Sequence, residues 1–77
     1  MQTTTAVDLD GAIIELGYSG GDIAYVTTHY PLHSGPGIAE RIDAELDNYL
    51  PCGSTLSQED YWLSGRILIT KWKVNYE

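Results

Sequence analysis

The chain has 77 residues, with eleven acidic and four basic side chains that give a formal net charge of −7. Such a surface repels nucleic acid and anionic membranes and favours basic partners. The single cysteine excludes an intramolecular disulfide, and a hydrophobic content of 43% argues against disorder. We expect one domain over residues 1–77 that depends on packing for its stability.

The first part of the chain predicts an antiparallel hairpin. Residues 3–9 are rich in β-branched side chains and alternate, and Asp10-Gly11 readily adopts the positive φ angles of a two-residue turn. Residues 12–18 then form the second strand, with Ala12 and Ile14 on one face. A single long strand with a bulge at Gly11 is the alternative.

A second turn at residues 19–22, Ser-Gly-Gly-Asp, leads into a third strand over residues 23–28. Simple alternation places Ile23 and Val26 on opposite faces of that strand. Residues 29–37 contain two prolines and two glycines, so we expect a loop there.

The clearest pattern is a helix over residues 38–50, since apolar residues recur there at helical spacing. Ser34 or Gly35 can cap its start, with Pro36 near the first helical position. Pro51 and Gly53 end it. The apolar arc consists of Ile38, Ile42, Leu46, Tyr49 and Leu50.

The C-terminal part contains one ambiguous segment and one clear strand. Residues 57–63 fit either a short helix, because Ser57 and Asp60 resemble a capping box, or a strand that pairs through Ser64-Gly65. Residues 67–76 alternate as a long strand, on which we interpret Lys71 and Lys73 as protection of a sheet edge. The predicted fold is α+β, a small antiparallel sheet of three to five strands with one amphipathic helix packed on one face.

Three residues could carry metal or nucleophile chemistry. His29 and His33 are four residues apart and Cys52 is a third candidate ligand, but the histidines fall on a predicted loop where that spacing fixes no geometry. A chain this short leaves little interior for a substrate pocket once its core is filled. We therefore expect a non-enzymatic protein without a cofactor, and a small metal-binding domain built on these residues is an alternative.

The acidic side chains are the main candidates for partner binding. Consecutive turns of a helix place side chains about 5–6 Å apart, close to the spacing of phosphates along a nucleic-acid strand. Carboxylates at this spacing can mimic a polyanion, with tyrosine as an apolar anchor. The helix contributes Glu40, Asp43 and Asp47, the strands and turns contribute Asp8, Asp10, Glu15 and Asp22, and the anchor is Tyr30.

In size, charge and absence of a catalytic motif, the chain resembles as a class the small acidic proteins that phages encode against host defence, including inhibitors of CRISPR effectors. That resemblance implies a protein that occludes the site of a basic, nucleic-acid-binding partner and does not itself bind nucleic acid. An immunity protein or antitoxin that neutralises a nuclease toxin is the alternative. Residues 1–10 lack the basic start and apolar run of a secretory signal, so we expect a cytoplasmic location, in the host if a phage encodes the chain. Exposed sheet edges would also allow a homodimer.

Overall fold

The computed structural model describes residues 2–76, which form a five-stranded antiparallel sheet and one helix. The strand order in the sheet is β1-β2-β3-β5-β4, and α1 connects β3 to β4. The predicted small α+β fold is confirmed. In chain order the elements are β1 (Gln2–Asp8), β2 (Ile13–Ser19), β3 (Asp22–Pro31), α1 (Pro36–Tyr49), β4 (Thr55–Ser64) and β5 (Ile67–Asn75).

Tight turns build the two N-terminal hairpins, as the sequence predicted. At the first turn, Asp10 and Gly11 have φ angles of 59° and 129°, and the Leu9 amide donates to the Ala12 carbonyl at 2.8 Å. At the second turn, Gly20 and Gly21 also have positive φ. Positive φ at both central residues matches the right-handed twist of the flanking strands, which favours these hairpins.

The third strand differs from its prediction in length and in facing. It continues through Pro31, so His29 and Tyr30 belong to a strand and not to the expected loop. A proline is tolerated there because it stands at the strand end. In addition, Tyr18 pairs with Ile23 while Gly17 pairs with Tyr25, which leaves Ala24 as an extra, bulged residue. The bulge turns Ile23 to the same face as Val26, contrary to simple alternation.

The structure also tests the predictions for the helix and the two C-terminal strands. Helix α1 begins at Pro36 with Gly35 as its N-cap, which is one of the two predicted caps, and no side chain caps this end. Residues 57–63 lie in strand β4, which settles the helix-or-strand ambiguity. Strand β5 lies between β3 and β4, so the interpretation of Lys71 and Lys73 as edge protection is wrong.

The sheet has two unlike faces. The helix-covered face holds the core, and its largest fully buried side chains are Ile14, Leu16 and Val26. The opposite face, called the open face below, bears no described element. The complete buried hydrophobic cluster is Leu9, Ala12, Ile14, Leu16, Ile23, Val26, Ile42, Leu46 and Val74.

Candidate binding surface

Three carboxylates form an exposed acidic stripe along α1, defined as Glu40, Asp43 and Asp47. At about 100° per residue they fall within an arc of about 60° on the helix. Within residues 2–76, no lysine or arginine nitrogen lies within 4.0 Å of a carboxylate oxygen. The charges of the stripe are therefore available to an external cation.

An apolar groove lies beside this stripe, between α1 and strands β4 and β5. Its volume is about 420 Å³. It forms because α1 packs closest to β3, which leaves the helix-covered side of β5 and β4 only partly shielded. The residues that line it are Thr28, Tyr30, Ala39, Ile42, Asp43, Leu46, Leu56, Leu68, Thr70 and Trp72.

A second cleft of about 490 Å³ continues the groove toward the C-terminal end of α1. Asp43, Leu46 and Leu56 line both cavities, so the two are adjacent. Asp47 and Cys52 line the second cleft, and the Cys52 thiol is free and exposed. The two cavities therefore follow one another along the helix, and two carboxylates of the acidic stripe, Asp43 and Asp47, line them.

A hydrogen bond fixes the groove floor. The indole Nε1 of Trp72 donates to Thr28 Oγ1 at 3.1 Å across the β3–β5 pair. Trp72 is half-buried and packs against the core, so this bond satisfies a polar group in a largely apolar setting. Trp72 also lines the groove, so part of its side chain is accessible from there.

The structure brings together only part of the predicted binding set. Tyr30 lines the groove together with Asp43, and it is half-buried against the core instead of projecting as a free anchor. Asp8 and Asp10 lie at the β1–β2 turn, where the Asp8 carboxylate accepts a hydrogen bond from the Asp10 amide. Asp22 lies at the opposite end of the sheet, as the first residue of β3 after the β2–β3 turn.

Glu15 points away from the acidic stripe and Tyr30 and shares the open face with Asp8. It lies on the open face, where its Oε2 is 3.6 Å from His29 Nε2. The seven predicted carboxylates thus do not form one continuous polyanion. The acidic stripe and Tyr30 are the members that lie at the groove.

The alternative metal set is spread over the molecule. His29 lies on the open face in β3, His33 follows that strand in the loop before α1, and Cys52 follows α1. In the described range no group of three histidine, cysteine or carboxylate side chains is arranged to hold a metal ion.

Sequence reasoning did not identify the apolar part of the groove. Leu56, Leu68 and Trp72 come from the β4–β5 hairpin, and the groove forms only where this hairpin meets α1 and β3, so no contiguous motif marks it. The alternation of β5 could have predicted part of this lining, because it places Leu68 and Trp72 on the same face as buried Thr70.

Comparison with known proteins does not supply a function. No family model matches the chain, and no similar curated protein or solved structure is found. The helical segment within residues 2–76 falls short of the length and hydropathy that crossing a membrane requires.

Proposed function

We propose that this chain is a non-enzymatic binding protein that inhibits or regulates a basic, nucleic-acid-binding protein by occluding its site. The observation that carries the proposal is the position of the acidic stripe beside the apolar groove. A partner segment with apolar side chains on one side and Lys or Arg on the other is complementary to both features.

The apolar groove and the acidic stripe have distinct roles in the proposed binding. Apolar side chains of the partner would enter the groove against Leu68 and Trp72, where burial of apolar area provides most of the affinity. The carboxylates of the stripe would engage basic side chains that otherwise grip phosphates. Electrostatic attraction speeds association and orients the encounter, and it weakens as salt rises.

A synthetic amphipathic peptide tests the proposal directly. The probe has leucines at i, i+3, i+4 and i+7 and lysines elsewhere, and its binding is measured by calorimetry at low and high salt. The stripe variant carries Glu40→Lys, Asp43→Lys and Asp47→Lys. We expect it to remain folded and to bind the peptide about tenfold more weakly or worse, since three attractions become repulsions.

A matched variant separates local contact from overall charge. Asp22→Lys, Glu45→Lys and Glu59→Lys change the net charge by the same amount at positions outside the groove lining. At physiological salt the Debye length is about 8 Å, so charges outside the groove lining act on a bound peptide more weakly than charges that contact it. Equal losses in the two triple variants would show that the stripe is not a contact surface.

The apolar half is tested without a change of charge. Ala39→Trp inserts a large ring into the groove, whereas Ala44→Trp adds the same ring to an exposed helix position outside the groove lining. We expect only Ala39→Trp to block the peptide. The same variants used as bait for proteins of the native host then identify the partner, and a tight DNA or RNA ligand would contradict the proposal.

A further inference from the structure

The open face of the sheet is more apolar than a water-facing sheet surface. Antiparallel sheets with one solvated face normally alternate apolar side chains inward with polar ones outward. Here the outward positions include Ile13, Trp62 and Ile67, which are 40%, 45% and 38% exposed. Ile69 lies between Ile13 and Trp62 in the same cross-strand row. These residues therefore form one apolar patch on the face that no described element covers.

The strand register arranges this face symmetrically about its central strand β3. His29 pairs with Ile13 on one side and with Ile69 on the other, so an isoleucine flanks it on each side. Thr27 pairs with Glu15 on one side and with Lys71 on the other. Two adjacent cross-strand rows over β2, β3 and β5 thus consist of Ile13–His29–Ile69 and Glu15–Thr27–Lys71.

We propose that the open face is the interface of a homodimer in which two sheets pack face to face. The two-fold axis lies between the two sheets and is parallel to β3. This operation places β2 of one copy opposite β5 of the other. Ile13 then faces Ile69 of the second copy, and Glu15 faces Lys71 of the second copy. Each contact occurs twice, as an isologous interface requires.

Charge complementarity selects a second copy as the occupant. The cross-strand rows of the open face carry Asp8, Glu15 and Asp60 together with Lys71 and Lys73, so three negative charges stand against two positive ones on this face although the chain as a whole has a net charge of −7. A nucleic acid would instead require a net positive surface. The Lys71 ammonium lies 4.6 Å from the centroid of the Tyr25 ring, which holds this side chain on the face.

The available area suffices for a specific dimer. Five strands spaced about 4.8 Å apart, with about seven residues each, present roughly 550 Å² per copy. Two copies would bury about 1,100 Å², which lies at the lower end of specific interfaces. Sheets packed in this way lie about 10 Å apart, a gap that side chains of this size fill.

Charge reversal with rescue tests the dimer. The molar mass is measured by sedimentation velocity over a wide concentration range for Glu15→Lys, for Lys71→Glu and for the double variant, with circular dichroism as the check of fold. Each single change creates two like-charge contacts, so we expect the dimer dissociation constant to rise about 100-fold. The double variant restores both attractions and should dimerise nearly as well as the wild type.

The rescue is informative because Glu15 and Lys71 are separated by β3 within one chain. They stand about 10 Å apart there, too far for a direct ion pair, so restored dimerisation reports a contact between copies. A wild-type chain that stays monomeric, or a dimer that ignores both single changes, would overturn the proposal.

Pairing through the β4 edge is the competing arrangement. Leu63→Lys places a charge on that edge at an exposed position of the helix-covered side, which disfavours edge pairing. The face-to-face dimer predicts no change in this variant, and dissociation would refute it. The triple stripe variant should remain dimeric, so this inference and the proposed function fail or succeed separately.

Discussion

Replacement of Leu16 by alanine tests the division of the sheet into two faces, on which both proposals depend. Leu16 is fully buried on the helix-covered face, opposite Val26 in the neighbouring strand. Truncating a leucine at such a site removes its transfer free energy and leaves a cavity, at a cost of about 2–5 kcal/mol. A domain of this length has a total free energy of unfolding of about 4–12 kcal/mol, so the loss would be a large fraction.

The measurement is urea and thermal unfolding followed by far-ultraviolet circular dichroism. For a domain of this size each kcal/mol lowers Tm by about 4–8 °C, so Leu16→Ala should lower Tm by at least roughly 10 °C. The matched control is Leu63→Ala on β4, where the leucine is 62% exposed. This control should change stability by no more than about 0.5 kcal/mol.

Both variants are compared at one protein concentration, because self-association makes Tm depend on concentration. Similar losses in the two variants, or a loss under about 1 kcal/mol for Leu16→Ala, would refute the burial argument. In that event the helix-covered face would not be the core, and both proposals would lose the structural division on which they depend.

Two further predictions concern the groove. Thr28→Val leaves the Trp72 Nε1 proton without its partner and should lower the free energy of unfolding in urea by about 1–3 kcal/mol. The control Thr27→Val, on the open face, should lower it little. A larger loss for Thr27→Val than for Thr28→Val would contradict the assigned hydrogen bond. Because Cys52 is exposed and lines the cleft beside the groove, a bulky maleimide should label it in the folded protein and weaken binding of the amphipathic peptide. Cys52→Ser should bind the peptide normally and resist the reagent, and full peptide binding by the labelled wild type would exclude the cleft from the contact.

Local chemistry made much of the fold predictable. The dipeptides at both N-terminal turns require positive φ, and Asp10-Gly11 and Gly20-Gly21 provide it whatever the rest of the chain does. The helical period of α1 was equally readable, because Ile42 and Leu46 repeat on one side. These signals lie within a few residues of one another, so they need no knowledge of tertiary contacts.

Non-local features were not predictable in the same way. The bulge at Ala24 depends on the register between β2 and β3, and it reversed the expected facing of Ile23. Strand β4 is almost wholly exposed and carries its own register shift between Gln58 and Asp60, so its hydrophobic alternation is broken. A segment without a buried face has a weak strand signal, which is why residues 57–63 also fitted a helix.

The candidate binding surface was likewise predictable in its local part but not in its non-local part. The spacing of Glu40, Asp43 and Asp47 was visible in the sequence, and the structure confirms that they lie exposed on one helix. Their apolar neighbour, the groove, arises because α1 lies closer to β3 than to β5 and β4. That offset is a packing outcome, and no residue pattern within one element encodes it.

The two tryptophans stand on opposite sides of the sheet, Trp72 in the groove and Trp62 on the open face. The chain thereby contains two tryptophan fluorophores, each next to one proposed contact surface. The tryptophan emission of a Trp62→Phe protein would come only from the groove, and that of a Trp72→Phe protein only from the open face. Emission spectra of the two single-tryptophan proteins could therefore distinguish engagement of a foreign segment from association of identical copies without any attached dye.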